Sequence, residues 1–183
     1  MDSTAILVLA GGRARRFPGK LEHAIDGEAM LLRCYRRVRE TGWPVYVAAN
    51  GSFPHEIDSK IDAPMLIDRR PGRGPLGAFL DACLTIGAAR LFAVAADQPR
   101  IDAAVLHAIA ASWETGDEAV VPQHAGGIEP LAALYGRKAA LREGFGLAKG
   151  KDAMRDLIGR VASRFVQSDP QWFHNVNRIG DLQ

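Results

Sequence analysis

Short apolar runs that alternate with helical patterns are the feature that most constrains the fold of this chain. The apolar runs lie at residues 5–10, 44–49, 64–67, 91–96, 118–122 and 130–135, and helical patterns lie at 29–41, 76–87 and 102–114. Such alternation is typical of βαβ crossovers, in which parallel strands form one sheet and helices cover it. We therefore predict an α/β protein with a mainly parallel sheet.

The rest of the chain continues as an α/β tail. Further helical patterns fall at 137–148 and 152–159, and short β-like runs fall at 161–166 and 172–176. A chain of 183 residues with 48% hydrophobic content suits one compact domain, spanning 1–183. Asp102 is placed to cap the third predicted helix.

Composition bears on the class of protein and on its partners. The net charge of +2 does not call for a nucleic-acid partner. Cys34 and Cys83 lie far apart, form no Cys-x-x-Cys pair and are predicted to be buried structural residues. The apolar run at 5–10 is too short to span a membrane or to act as a secretion signal. We expect a cytoplasmic protein with neither a membrane nor a nucleic-acid partner.

The first apolar run ends in a segment that combines glycines with cations. Gly11 and Gly12 follow the run, and within eight residues come Arg13, Arg15, Arg16 and Lys20. Glycine allows close approach of the backbone to a ligand, its N–H groups can face phosphate oxygens, and the cations add charge. This combination favours a phosphate-binding loop over an ordinary turn with a solvated basic rim.

The spacing of this segment excludes two common phosphate-binding motifs. A Walker loop needs a hydroxyl residue directly after its lysine, whereas Leu21 follows Lys20. The dinucleotide fingerprint Gly-x-Gly-x-x-Gly opens directly into a helix, whereas Pro18 interrupts the segment here.

An acidic residue follows the predicted strand at 91–96. On open α/β sheets, ligands bind outside the carboxyl ends of the strands, which is where Asp97 lies. Mg²⁺ can be held by one carboxylate together with water and substrate phosphates. Asp97 is therefore the best magnesium candidate, and the alternative is a residue that begins a turn before Pro99.

Two other segments carry polar groups near predicted strand ends. Asp68 begins a loop with three arginines and three glycines, which either contacts a nucleotide base or sugar or is a plain surface loop. Asn175 and Asn177 share one face of a predicted strand. Their amides suit either a polar heterocycle or the solvated face of an edge strand.

Six ordered segments, spread over nearly the whole chain, resemble the molybdenum cofactor guanylyltransferases. They are Leu9–Gly12, Arg16 with Lys20, Asp68 with Gly74-Pro75-Leu76, Asp97-Gln98-Pro99, Pro130-Leu131 with Tyr135, and Asn175-Val176-Asn177. The resemblance implies a Rossmann-like nucleotidyltransferase fold, a three-layer α/β/α arrangement with a mainly parallel sheet. It also implies transfer of GMP from GTP to the phosphate of molybdopterin cofactor, with Mg²⁺ as cofactor and pyrophosphate as product.

The resemblance further implies roles for individual residues. Arg16, Lys20 and Asp97 are implied to be catalytic, and Asp97 to hold the metal. Nucleotide contacts are implied for Leu9, Ala10, Gly11, Gly12, Lys20, Asp68, Gly74, Pro75, Leu76 and Asp97. Asn175 and Asn177 are implied to face the acceptor. The implied partners are GTP, molybdopterin cofactor and proteins that mature molybdoenzymes.

Two other functions share parts of the pattern. A sugar-phosphate or cytidylyl-type nucleotidyltransferase has the same kind of glycine loop and metal-binding aspartate, although the resemblance implies that Ala10-Gly11-Gly12 is of the guanylyl type. A GTP-binding adaptor without transferase activity is the third function, because Phe17-Pro18-Gly19 departs from the segment usual in the family.

Overall fold

The computed structural model describes residues 3–11, 19–67, 73–147 and 153–176. The strands are β1 Thr4–Leu9, β2 Ala24–Ile25, β3 Glu28–Ala29, β4 Val45–Ala49, β5 Met65–Ile67, β6 Arg90–Ala95, β7 Ala119–His124, β8 Gly127–Ile128, β9 Ala132–Gly136 and β10 Ser163–Gln167. The helices are α1 Met30–Arg39, α2 His55–Asp58, α3 Gly74–Thr85, α4 Ala103–Ala111, α5 Arg137–Gly144 and α6 Ala153–Ile158. Short 3₁₀ helices lie at Lys20–Glu22 and Pro170–Phe173.

One large sheet with the strand order β10-β7-β9-β6-β1-β4-β5 runs through the protein. β1 lies parallel to both of its neighbours, so that Ile6 pairs with Val45 of β4 and with Phe92 of β6. β9 runs antiparallel between β6 and β7, and the short β8 pairs antiparallel with β7. The predicted mainly parallel sheet is confirmed, and β6, which precedes Asp97, lies at its centre.

Both faces of the sheet are covered, which gives three layers. Because side chains alternate along a strand, β1 places Ile6 and Val8 against one set of helices and Leu7 and Leu9 against the other. The first set is α1, α2 and α4, and the second is α3, α5 and α6. The helix α1 buries an apolar face against the sheet, and both cysteines are buried as predicted.

Most predicted elements are confirmed with shifted ends, and one is wrong. Asp102 caps α4, since its carboxylate accepts a hydrogen bond from the backbone N–H of Val105 at 3.0 Å. The β-like run predicted at 172–176 is instead preceded and partly replaced by the 3₁₀ helix Pro170–Phe173. Pro170 cannot donate to a strand ladder, and Asp169 caps the turn by accepting from the N–H of Gln171 at 2.9 Å. The periodicity of the sequence carries no information on such a cap.

Among the helices that the structure describes, none has both the length and the apolar character needed to cross a bilayer.

Candidate active site

A pocket of about 440 Å³ opens at the carboxyl ends of β1 and β6. Its wall includes Leu9, Ala10, Gly11, Gly19, Lys20, Leu21, Glu22, Phe53, Pro75, Ala95, Asp97 and Leu131. Open α/β sheets bind ligands at this edge, because neighbouring crossovers diverge there and leave a crevice. The structure therefore brings together the first glycine segment and the aspartate that follows the central strand.

Lys20 and Asp97 form an ion pair in this pocket. The Nζ atom of Lys20 lies 2.5 Å from Oδ2 of Asp97, and the two side chains are 13% and 27% exposed. Lys20 begins a 3₁₀ helix directly after Gly19, whose left-handed φ of 68° favours glycine. The pair places one cation and one carboxylate at the pocket wall, which suits an anionic ligand that arrives with a metal ion.

The backbone of Gly11 lies close to the side chain of Asn50. A Cβ atom at this position would lie 2.9 Å from Oδ1 of Asn50, the residue that follows β4. The exposed backbone of Gly11 thus faces the pocket on one side and the Asn50 side chain on the other. The approach of this backbone to a phosphate stays a prediction, and Asn50 is a neighbour that the sequence did not indicate.

Gly74-Pro75-Leu76, predicted as part of a nucleotide-reading turn, is the first turn of α3. Pro75 lies near the start of the helix, a common position for proline. It also lines the pocket. Leu76 is fully buried and packs in the core, so its side chain is directed away from any pocket ligand. In this turn, Pro75 and the backbone are therefore the groups that can contact a nucleotide.

Asn175 lies on an irregular segment next to the aspartate loop. The N–H of Val176 donates to the backbone carbonyl of Asp97 at 3.0 Å, which holds this segment beside the pocket. Asn175 is half-buried but does not lie on an edge strand, so the predicted alternation of two asparagines on one strand face is wrong for it. Asn175 lies near Asp97 because of the backbone hydrogen bond made by its neighbour Val176.

Four of the predicted site residues, Gly12, Arg16, Asp68 and Asn177, lie outside the described residues. Their predicted roles stay predictions.

Several pocket residues were not predicted from the sequence. Phe53 follows β4, the strand beside β1, and places a half-buried aromatic ring in the wall. Glu22 and Leu21 enter the pocket because they follow Lys20 on the same 3₁₀ helix. The rule that ligands bind at strand ends could have indicated Phe53, had the neighbour of β1 been known.

The donor set at Asp97 fits a hard cation. Among the described residues no group of three or more His, Cys, Asp or Glu side chains could hold a metal ion by itself. A lone carboxylate suits Mg²⁺ when a nucleotide supplies further oxygens, and does not suit a structural zinc site. Asp97 already attracts a cation, because one of its carboxylate oxygens pairs with the Lys20 ammonium.

Cys34 lies beneath the aspartate but is not a candidate nucleophile. Burial, together with the nearby negative charge of Asp97, raises the pKa of the Cys34 thiol to about 12. The thiolate is the reactive form, so this cysteine stays protonated and inert near neutral pH.

A glycine-bounded pocket with a lysine–aspartate pair at the carboxyl ends of a mainly parallel sheet defines a nucleotide-binding α/β enzyme of the nucleotidyltransferase class. Comparison with known families makes this specific, because residues 6–165 match the model of the MobA-like NTP transferase domain. The chain belongs to this family.

Individual relatives agree with that assignment. The chain is 31% identical, over its whole length and 94% of the relative, to a molybdenum cofactor guanylyltransferase of Desulfosudis oleivorans. It is also similar in structure to molybdopterin-guanine dinucleotide biosynthesis protein A of Archaeoglobus fulgidus, with a TM-score of 0.78, 21% identity and coverage of 97% and 94% of the two chains. A cytidylyltransferase of Leptospira borgpetersenii gives the same TM-score of 0.78 at 14% identity, with coverage of 99% and 84%. The fold is thus common to transferases of different nucleotides.

Proposed function

We propose that this protein transfers GMP from GTP to the phosphate of molybdopterin cofactor and releases pyrophosphate, with Mg²⁺ as the metal. The observation that carries the proposal is the Lys20–Asp97 pair at the wall of a pocket bounded by Gly11. The name of the 31% identical relative supports the choice of GMP and of the molybdenum cofactor.

The reaction needs alignment and charge neutralisation more than proton transfer. An oxygen of the acceptor phosphate forms a bond to the α-phosphorus of GTP, and the bond from that phosphorus to the bridging oxygen breaks as pyrophosphate leaves with the electron pair. A phosphate monoester has a second pKa of about 6, so the acceptor is mostly a dianion near neutral pH. The attacking oxygen therefore needs no general base, and repulsion between two anions is the main obstacle.

The residues of this chain address that repulsion. Asp97 would hold Mg²⁺, whose charge would neutralise that of the phosphates. Lys20 adds a second positive charge in the pocket, where limited exposure strengthens its attraction to phosphate. The backbone at Ala10 and Gly11 lets the nucleotide approach closely, and Asn175 lies on the segment held against Asp97, where an acceptor amide or phosphate would enter.

Calorimetric titration with GTP, CTP, ATP and UTP, each with Mg²⁺, tests the nucleotide, and a coupled pyrophosphate assay with molybdopterin cofactor tests transfer. Asp97→Asn should lower kcat by at least about a hundredfold, the scale for one key electrostatic group. Asp26→Asn is the matched control, because Asp26 is 79% exposed and pairs with Arg33 outside the pocket lining.

Each alternative function has its own outcome. Near-normal transfer by Asp97→Asn would refute the role of this carboxylate. A preference for CTP, or transfer to a sugar phosphate, would replace the proposal with a different nucleotidyltransferase reaction. GTP binding without pyrophosphate release would indicate the adaptor.

A further inference from the structure

A chain of polar contacts begins beside Asp97 and involves residues outside the pocket lining. Gln98 is 1% exposed, and its Nε2 donates to Oε2 of Glu129 at 3.3 Å. The other carboxylate oxygen of Glu129 lies 2.9 Å from Nε2 of His124. The N–H of Gly126 donates to Nδ1 of His124 at 2.9 Å, so Nδ1 is an acceptor and the proton of the neutral ring is on Nε2. Glu129 thus accepts one hydrogen bond on each oxygen.

An aromatic contact continues this chain to the C-terminal segment, residues 173–176. The rings of His124 and Phe173 stack, with centroids 5.9 Å apart and an angle of 11° between their planes. Val176 at the other end of the segment donates its N–H to the carbonyl of Asp97 at 3.0 Å. The contacts therefore form a closed ring that starts and ends at the strand end carrying Asp97.

Glu129 is the central member of this ring. Its side chain is 18% exposed and that of His124 is 12% exposed, so both hydrogen bonds lie in a region with little water. Loss of the carboxylate would leave the amide of Gln98 and the ring N–H of His124 without their acceptor, and such groups reorient to find another. Movement of the His124 ring would then remove a stacking contact from Phe173, the residue that begins the C-terminal segment and that also packs in the core.

We propose that Glu129 is a positioning residue that, through His124 and Phe173, fixes the C-terminal segment against the strand end of Asp97. The catalytic consequence rests on the proposed function, in which Asp97 holds the metal and Asn175 faces the acceptor. Glu129 is not among the residues that line the pocket. The role of Glu129 is to set the distance between Asp97, which in the proposed function holds the metal, and the C-terminal segment, which faces the acceptor.

Amide hydrogen exchange of Val176 in the substrate-free protein directly measures how firmly its N–H is held by the Asp97 carbonyl. The variants are Glu129→Ala, which removes both acceptors, and Glu129→Gln, which keeps the shape but offers one oxygen. The variant Gly126→Ala removes no hydrogen-bonding group. It should displace the His124 ring, because the new Cβ would lie 2.9 Å from Cε1 of His124. Glu40→Gln is the control, since Glu40 pairs with Arg36 at an exposed surface.

We expect exchange at Val176 to be about tenfold faster or more in Glu129→Ala and Gly126→Ala, and unchanged in Glu40→Gln. In steady-state assays kcat should fall by about 10–100-fold, the usual effect of a residue that orients another. The KM for GTP should stay within about twofold, because the nucleotide pocket keeps its wall. Glu129→Gln should fall between the wild type and Glu129→Ala.

Unchanged exchange at Val176 in Glu129→Ala would overturn the proposal, and so would faster exchange with unchanged kcat. A rise in the KM for GTP equal to the fall in kcat would indicate general damage to the pocket and would also overturn it. A wild type that transfers no GMP would refute the proposed function instead. Exchange at Val176 needs no substrate, so it would still show whether Glu129 fixes the C-terminal segment.

Discussion

Replacing Gly11 with alanine should weaken binding of the proposed nucleotide without destabilising the fold. The backbone at Gly11 does not adopt the positive φ seen at six other glycines of the described residues, so alanine can adopt the Gly11 conformation. The new Cβ would lie 2.9 Å from Oδ1 of Asn50, an exposed side chain that can rotate away. We expect the free energy of unfolding to change by less than about 0.5 kcal/mol.

The same methyl group adds bulk at Gly11, whose backbone lines the pocket and is the proposed contact for the nucleotide. Adding one carbon to a close-packed contact costs about 1–3 kcal/mol. The affinity for GTP should therefore fall by about 5–150-fold, at a tenfold change per 1.4 kcal/mol. The loss should appear in the dissociation constant measured by calorimetry, while the melting temperature stays near that of the wild type.

The variant Asn50→Ala and the double variant identify the cause of the loss. If the methyl group itself blocks the nucleotide, Gly11→Ala and the double variant should bind GTP equally weakly. If displacement of Asn50 is the cause, the double variant should match Asn50→Ala. Wild-type affinity in Gly11→Ala would refute the reasoning, because the nucleotide would then not approach this backbone.

Three further predictions concern stability and reactivity. Gly144→Ala should destabilise the protein by about 1–3 kcal/mol, because its Cβ would lie 2.6 Å from Cδ2 of the buried Leu80, whereas Gly146→Ala, with no atom within 4 Å, should not; thermal unfolding of both variants checks this. Hydrogen bonds from Arg142 lower the pKa of Glu118, so this carboxylate stabilises the fold above its unfolded pKa of about 4.3 and loses that effect as pH falls through its folded pKa. Glu118→Gln should therefore lose less stability on acidification than the wild type in denaturant titrations, and an equal loss would contradict the assignment. Burial raises the pKa of both cysteine thiols to about 12, so a thiol reagent at about pH 8 should modify them only after unfolding.

The sequence indicated the architecture well, because long buried strands have a strong signal. The run at 91–96 is apolar on both faces, and the structure buries both faces of β6. The order of the strands was less accessible. The antiparallel insertion of β9 between β6 and β7 depends on long-range pairing, about which local periodicity is silent.

The candidate site divides in the same way. Gly11, Lys20 and Asp97 could be found because each follows a predicted strand or a glycine segment. Glu129 could not be found as a partner of Gln98, since it lies on a different strand connection and only the fold brings the two together. The C-terminal segment was assigned the wrong local structure, because a proline and an aspartate cap outweighed its alternating pattern.

The hydrogen bond from Val176 to Asp97 has a consequence for synthesis of the protein. A ribosome makes the chain from the N-terminus, and domains begin to fold as they emerge. The central strands β1, β4 and β6 can pair before the C-terminal segment has been translated. The hydrogen bond from Val176 to the Asp97 carbonyl cannot form until residue 176 has left the exit tunnel. A nascent chain therefore carries Lys20 and Asp97 well before it carries the segment that is held against the Asp97 carbonyl.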